Sequence, residues 1–138
     1  MVKLGEVCIL QKGKQLNKEE LKPDGEYYYI NGGSVASGKY DKYNYDENNI
    51  TISQGGASAG FVNWMKEKFY AGAHCYVVKT KDENLLNNKY LYYYLKNSQE
   101  KLTQSQHGAG IPALDSKIIL NLSIPLPPSQ PNSKLWRY

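Results

Sequence analysis

Arginine is almost absent from this sequence. Of 17 basic residues in 138, only Arg137 is an arginine, and the formal net charge of +4 is a lysine charge. Lysine supplies point charges but not the planar fork that pairs bidentately with guanine, carboxylate or phosphate. Such a balance permits a polyanionic partner without demanding one. Cysteine is nearly as scarce. Cys8 and Cys75 are isolated, with no C-x-x-C and only His74 adjacent, which argues against a disulfide or zinc framework and reads both as small buried hydrophobes. No apolar run approaches the roughly 20 residues that span a bilayer, and "MVKLGEVCIL" lacks the features of a signal peptide, so a cytoplasmic protein is expected. Paired carboxylates, metal constellations and methyl-donor motifs are missing too, so neither a catalytic centre nor a bound metal or cofactor is expected.

What the chain does have is tyrosine, 13 of them, with 12 glycines and a mean hydropathy of -0.63. Its length suits one domain with a real core. The opening "VKLGEVCILQKGKQL" reads as a turn or helical stub running into a strand that Gly13 ends. Pro23-Asp24-Gly25 is a turn signal. "EYYYIN" suits a strand stopped by Asn31-Gly32-Gly33, and "ITIS", "FVNW" and "FYAGAHCYVVKT" are further strand-like runs. His74, inside the last of these, reads as a core or edge-strand histidine. Beyond "KDENLLNN" the period changes. Leu91, Tyr94, Leu95, Ser98 and Leu102 fall at helical spacing, with Asn87 or Asn88 as cap and Gly108 past the end. Asp115 can cap a short turn through "SKIILN", and "LSIPLPP" is extended until its prolines stop it. The fold expected is α+β: a β-rich N-terminal part, then an α+β part with one main helix.

Three glycine loops interrupt these elements: "NGGS" (31–34), "QGGASAG" (54–60) and "QHGAGIP" (106–112). In the second, Gly56-Ala57-Ser58-Ala59-Gly60 matches the G-x-S-x-G of a nucleophile elbow, with Asp82 and His107 downstream in the right order. The following "FVNWM" is β-type where an elbow needs a helix, so a serine hydrolase using Ser58 is a minor alternative. Gly55 and Gly60 have phosphate-loop spacing, but Phe61-Val62 stands where Lys and Ser or Thr are required. The plain alternative is a set of turns in which glycine supplies positive φ. A third possibility is that the loops gather at one end, forming a surface of low bulk, rich in Asn, Gln, Ser and His, suited to base edges. A protein-interaction module could use the same tyrosines and loops.

Taken in order, "KLGEVCILQKGK", "YYYINGGSVASGKYDKY", "ITISQGGASAGFVNWMKEKFYAGAHCYVVKTK", "NNKYLYYYLKNSQEKL" and "GAGIPALDSKIILNLSIPLPP" resemble the target-recognition domain of the DNA specificity (S) subunit of type I restriction-modification systems. The resemblance runs from Lys3 to Pro128. It implies a non-catalytic reader of duplex DNA. S-adenosylmethionine, ATP and Mg would then belong to partner modification (methyltransferase) and restriction subunits. In the family, two such domains are joined by long helices that dock the modification subunits. Here residues 129–138 form a short tail after Pro128, with no heptads, where the spacer helix would follow. Residues 1–128 are therefore expected to be one recognition domain of a half or truncated subunit.

If DNA is the partner, scarce arginine leaves readout to other side chains. Asn and Gln match adenine, which puts Asn31 and Gln54 first as base contacts, with Ser34, Ser58 and His107 behind them. Gly32, Gly33, Gly55 and Gly56 would let the backbone approach. Lys12, Lys14, Lys39, Lys42 and Lys66 are candidates for phosphates.

Overall fold

The computed structural model describes residues 1–55, 58–104 and 114–127. Strand β1 (Val2–Lys3) leads into a single helical turn, α1 (Leu4–Val7), and then β2 (Cys8–Lys12), so the helical stub running into a strand is present. A 3-10 turn (Lys18–Glu20) precedes β3 (Tyr27–Ile30) and β4 (Gly38–Tyr40). The turn at Pro23-Asp24-Gly25 closes as its composition suggests, with the Gly25 amide donating to the Lys22 carbonyl at 2.7 Å. Next come β5 (Asn49–Ser53), β6 (Val62–Met65), β7 (Phe69–Ala71) and β8 (Cys75–Thr80). The helices α2 (Asn88–Asn97), α3 (Gln99–Gln104) and α4 (Ser116–Leu120) follow, and β9 (Ser123–Ile124) is the last element of the described residues.

The main helical pattern is divided at Ser98, whose φ of -94° and ψ of 1° leave the α region for one residue. The Asn87 carboxamide caps α2 by accepting from the Lys89 and Tyr90 amides, and Asp115 caps α4 by accepting from Lys117. Each satisfies donors that a helix start leaves orphaned. The α+β order expected of the sequence is therefore present.

Beside a short antiparallel pair of β1 with β9, two larger sheets carry the β part. The larger has the order β2-β8-β5-β6, all antiparallel; the smaller has the order β4-β3-β7, with β3 and β7 parallel. Strand β5, "NITIS", alternates apolar and polar residues and yet is buried throughout. Alternation usually marks a strand with one wet face. Here Ile50 and Ile52 enter a core shared with Leu91, Leu95, Leu102, Leu114 and Ile119 of the helical part. Asn49, Thr51 and Ser53, on the other face, are buried as well. Strand β8 divides the same way, sending Tyr76 and Val78 to the helical core. Its Cys75 and Val77 join a second core with Ile30, Met65, Phe69 and Ala71. The larger sheet is thus the middle layer, between helices and the smaller sheet.

Both cysteines are buried and free. Desolvation pushes each thiol up to about 12 from an ordinary 9.0. The folded chain thus holds these protons more tightly than the unfolded chain does. This contribution is fully present below pH 9.0 and is lost as pH rises towards about 12, with a slope of up to about 1.4 kcal/mol per pH unit for each thiol. Burial also raises Tyr45 and Tyr76, which adds to the trend. Urea midpoints should therefore fall steadily above pH 9.0, and Cys75→Ala should flatten that fall. A midpoint constant to pH 11 would contradict the burial argument.

Candidate nucleic-acid interface

At one end of the larger sheet the chain leaves β2 and β5 and enters β6 and β8. The segments at this end are tied together by hydrogen bonds that no local pattern announces. Gly32 and Gly33, at φ +93° and +86°, turn the chain after β3, and the Gly33 amide donates to Ser53 Oγ at 2.9 Å. Ser53 Oγ in turn donates to the Gly55 carbonyl at 3.3 Å. The first glycine loop is thereby joined to the start of the second through a buried serine. The Gln54 amide donates to the His74 carbonyl at 3.0 Å, and its carbonyl accepts from the Leu114 amide at 2.6 Å. The turn between β7 and β8 and the chain that follows the third loop thus reach the same place.

Asn31 acts as a bolt here. Its Oδ1 accepts from the His74 amide at 3.0 Å, and its Nδ2 donates to Gln15 Oε1 at 3.2 Å. Each end of the carboxamide makes one bond within the chain, which leaves a second N–H and a second lone pair for another partner. Its geometry is that of a brace between turns. His74, read as a core or edge-strand residue, is instead exposed in the turn that Asn31 braces.

The lysines divide into two groups. Lys12 and Lys14 stand at this end, both exposed. The Lys12 carbonyl accepts from Tyr45 Oη at 2.8 Å and its Nζ lies 5.2 Å from the centre of the Tyr76 ring. The Lys14 amide donates to the Ala71 carbonyl at 2.9 Å. These backbone contacts fix where two long, mobile charges begin. Gln54 is half-buried, and its side chain, beside the Tyr76 phenol, partly offsets the rise that burial and then Asp115 impose on that group. Tyr76 Oη itself donates to the Leu114 carbonyl at 2.8 Å.

Lys66 lines a different feature, and Lys39 stands near it. Ser34 and Val35 lead from the glycine turn into an open groove of about 470 Å³, between Tyr28, Val35 and Ala36 of the smaller sheet's side and Asn63, Trp64, Met65 and Lys66 of β6 and its exit. Val35 is 76% exposed and Tyr28 46%. Lys39, paired with Tyr28 across β3 and β4, holds its Nζ 5.5 Å from that ring. Lys42 is exposed in the loop after β4. Thus Lys12, Lys14, Gly32, Gly33, Gln54 and Gly55 come together, Ser34 connects them to the groove, Lys66 lines it, and Lys39 stands by Tyr28, one of its walls. Gly56 and His107 lie outside the described residues, as do Gly108 and Pro128.

The rival chemistry of the second loop is not assembled. Ser58 is half-buried, and its carbonyl accepts from the Phe61 amide. The chain then enters strand β6, where an elbow or a phosphate loop would require a helix. Asp82 lies beyond Thr80, at the opposite end of β8 from Cys75, the residue that pairs with Ser53. Its Oδ1 accepts from the Asn84 amide. Among the described residues no group of three metal-ligating side chains occurs, and no helix is long and apolar enough to cross a membrane.

Sequence reasoning missed Ser53 and Gln15. Ser53 closes "ITIS", where alternation alone marks it as a strand residue. Only the three-dimensional meeting of β5 with the turn after β3 reveals it as a fastener.

Comparison with known proteins agrees with this architecture. A type I specificity subunit of Mycoplasma pneumoniae is 37% identical over 123 residues, covering 89% of this chain and 32% of its own length. One from Mycoplasma genitalium is 35% identical, covering 84% and 30%. The MjaVIII specificity subunit of Methanocaldococcus jannaschii is 29% identical, covering 98% and 33%. The chain thus spans about a third of the length of these relatives. Among solved structures, the S subunit of a type I restriction-modification system from M. genitalium superposes with a TM-score of 0.81 at 31% identity, over 88% of this chain and 32% of that one. The HsdS subunit of Thermoanaerobacter tengcongensis, at 22% identity and a TM-score of 0.68, shares the fold. The family profile described as the type I restriction modification DNA specificity domain matches residues 1–138, and the chain belongs to that family.

Proposed function

We propose that this chain reads duplex DNA by sequence, as the specificity component that directs the modification and restriction subunits of a type I system, and that it has no catalytic centre of its own. The observation that carries this reading is the convergence at one sheet end of two glycine loops with Lys12 and Lys14. Glycines allow the backbone a close approach, and exposed lysines on fixed backbone provide phosphate contacts that position without specifying. S-adenosylmethionine, ATP and Mg would be held by the partner subunits.

Selection of bound duplexes from a randomised DNA pool tests the reading. Enrichment of a motif of a few base pairs is expected at moderate salt. Retention without enrichment, fading uniformly with salt, would sink sequence readout by this chain. Within an enriched motif, Gln54→Ala is expected to relax preference at one base pair by about 1 to 3 kcal/mol. An equal loss on all DNA would remove Gln54 from the reading set. A second reading, contact with a protein, is favoured only by the exposed Tyr28 and Val35 at the groove. It predicts no salt-dependent DNA affinity.

A further inference from the structure

The exit of the second glycine loop is held by a device unlike those described above. Among the described residues, strand β6 is the edge of the larger sheet, with β5 on one side and no strand on the other. An edge strand leaves outward N–H and C=O groups that need partners. At Val62, the first residue of β6, two side chains from the helical part provide them. Gln99 Oε1 accepts from the Val62 amide at 2.8 Å, and Lys96 Nζ donates to the Val62 carbonyl at 2.7 Å. The two side chains are joined to each other, Lys96 Nζ donating to the same Gln99 Oε1 at 3.0 Å. The ammonium also lies 4.1 Å from the centre of the Phe61 ring. A lysine and a glutamine thus supply the donor and acceptor that a further strand would have offered.

Helix α3 also fixes the position two residues before Val62. Gly60 has φ +93°, and a Cβ there would lie 2.8 Å from the Thr103 amide nitrogen and 2.9 Å from the Leu102 carbonyl carbon. The loop therefore returns to the sheet in contact with α3 backbone. Its start is fixed independently, through Gln54 to His74 and Leu114. Desolvation lowers the pKa of Lys96, in keeping with a half-buried amine whose hydrogen bonds go to the protein.

We infer that Lys96 and Gln99 are positioning residues for sequence readout, holding the exit of the second glycine loop, Gly60 to Val62, in register without touching DNA. The inference rests on the DNA-reading function proposed above. Its consequence is that loop position depends on how α2 meets α3 at Ser98, so a shift of that junction changes which bases are read, while overall attraction to DNA stays constant.

The test compares wild type with Lys96→Met and Gln99→Met in three measurements: amide hydrogen exchange without DNA, selection from the randomised pool, and the salt dependence of binding. Exchange at Gly60, Phe61 and Val62 should speed by about tenfold or more in either variant, while amides of β8 keep their protection. Motif enrichment should fall, with the salt slope unchanged, and Lys96→Arg should restore enrichment by keeping a cationic donor. A slope reduced by about one unit in Lys96→Met would mean that Lys96 binds phosphate, and would overturn the inference. So would uniformly faster exchange, the signature of general destabilisation. Should wild type itself enrich no motif, the DNA-reading function falls. Unchanged exchange at Val62 would refute the clamp whatever the selection gives.

Discussion

Replacing Gly13 with alanine is expected to destabilise the fold by more than about 3 kcal/mol, beyond the usual range for an added methyl. A Cβ at this position would lie 1.7 Å from the Ala71 carbonyl oxygen and 2.1 Å from its carbon. Relief would require backbone to move, and both backbones are engaged. The Gly13 amide donates to the Gly72 carbonyl at 3.0 Å and the Lys14 amide to the Ala71 carbonyl at 2.9 Å. Gly13 is where the chain leaving the larger sheet runs against β7 of the smaller one. For a domain with a typical net stability of about 5 to 15 kcal/mol, the loss takes a large share. Urea unfolding followed by far-UV circular dichroism measures it. A change below about 0.5 kcal/mol would show that the crossing relaxes freely, and the rigid junction described here would be wrong.

The second large effect falls on binding. Lys12→Ala combined with Lys14→Ala is expected to weaken DNA binding by tenfold or more near physiological salt, and to lower the salt slope by about 1.8 units, since each phosphate contact contributes about 0.9. The enriched motif should stay the same, because point charges position and do not specify. Titration of labelled duplex at several salt concentrations reads both quantities. Loss of the motif with an unchanged slope would place these lysines among base contacts or structural supports instead. Both side chains are exposed, so the double variant should keep its melting temperature.

Much of the local structure was legible in the sequence because it depends on nearby residues. The Asn87 and Asp115 caps, the Lys22–Gly25 turn and the end of β3 at the Gly32-Gly33 turn each follow from one or two side chains or glycines. The strand runs were legible for a similar reason, since β-favouring residues broken by glycine need no distant information. What lay hidden depends on partners far along the chain. Nothing local in "YYYI" foretells that β3 pairs in parallel with β7, or that "NITIS" is buried on both faces. The one-residue departure at Ser98 is too small to disturb a helical period. The candidate site was legible as a set of residue types, less so as a division of labour. Asn31 is a base-contact candidate by chemistry, and only its distant partners, His74 and Gln15, show that its carboxamide also braces two turns. Lysines carry the least information of all, because an exposed charge has the same composition on any face.

The pairing of β1 with β9, Val2 with Ile124 and Lys3 with Ser123, brings the first strand against one made almost at the end of the described chain. Side chains of α2 support the same seam, Tyr90 Oη donating to the Pro125 carbonyl at 3.1 Å and Tyr94 Oη to that of Ser123. During synthesis, Val2 leaves the ribosome long before its partner exists, a delay on the order of ten seconds at ordinary elongation rates. Parallel pairing of β3 with β7 imposes a shorter wait of the same kind. Native contacts so distant in sequence are slow to form, because chain entropy is lost before they return any energy. The nascent chain should therefore gain its protease resistance in one late step, once Ile124 has emerged.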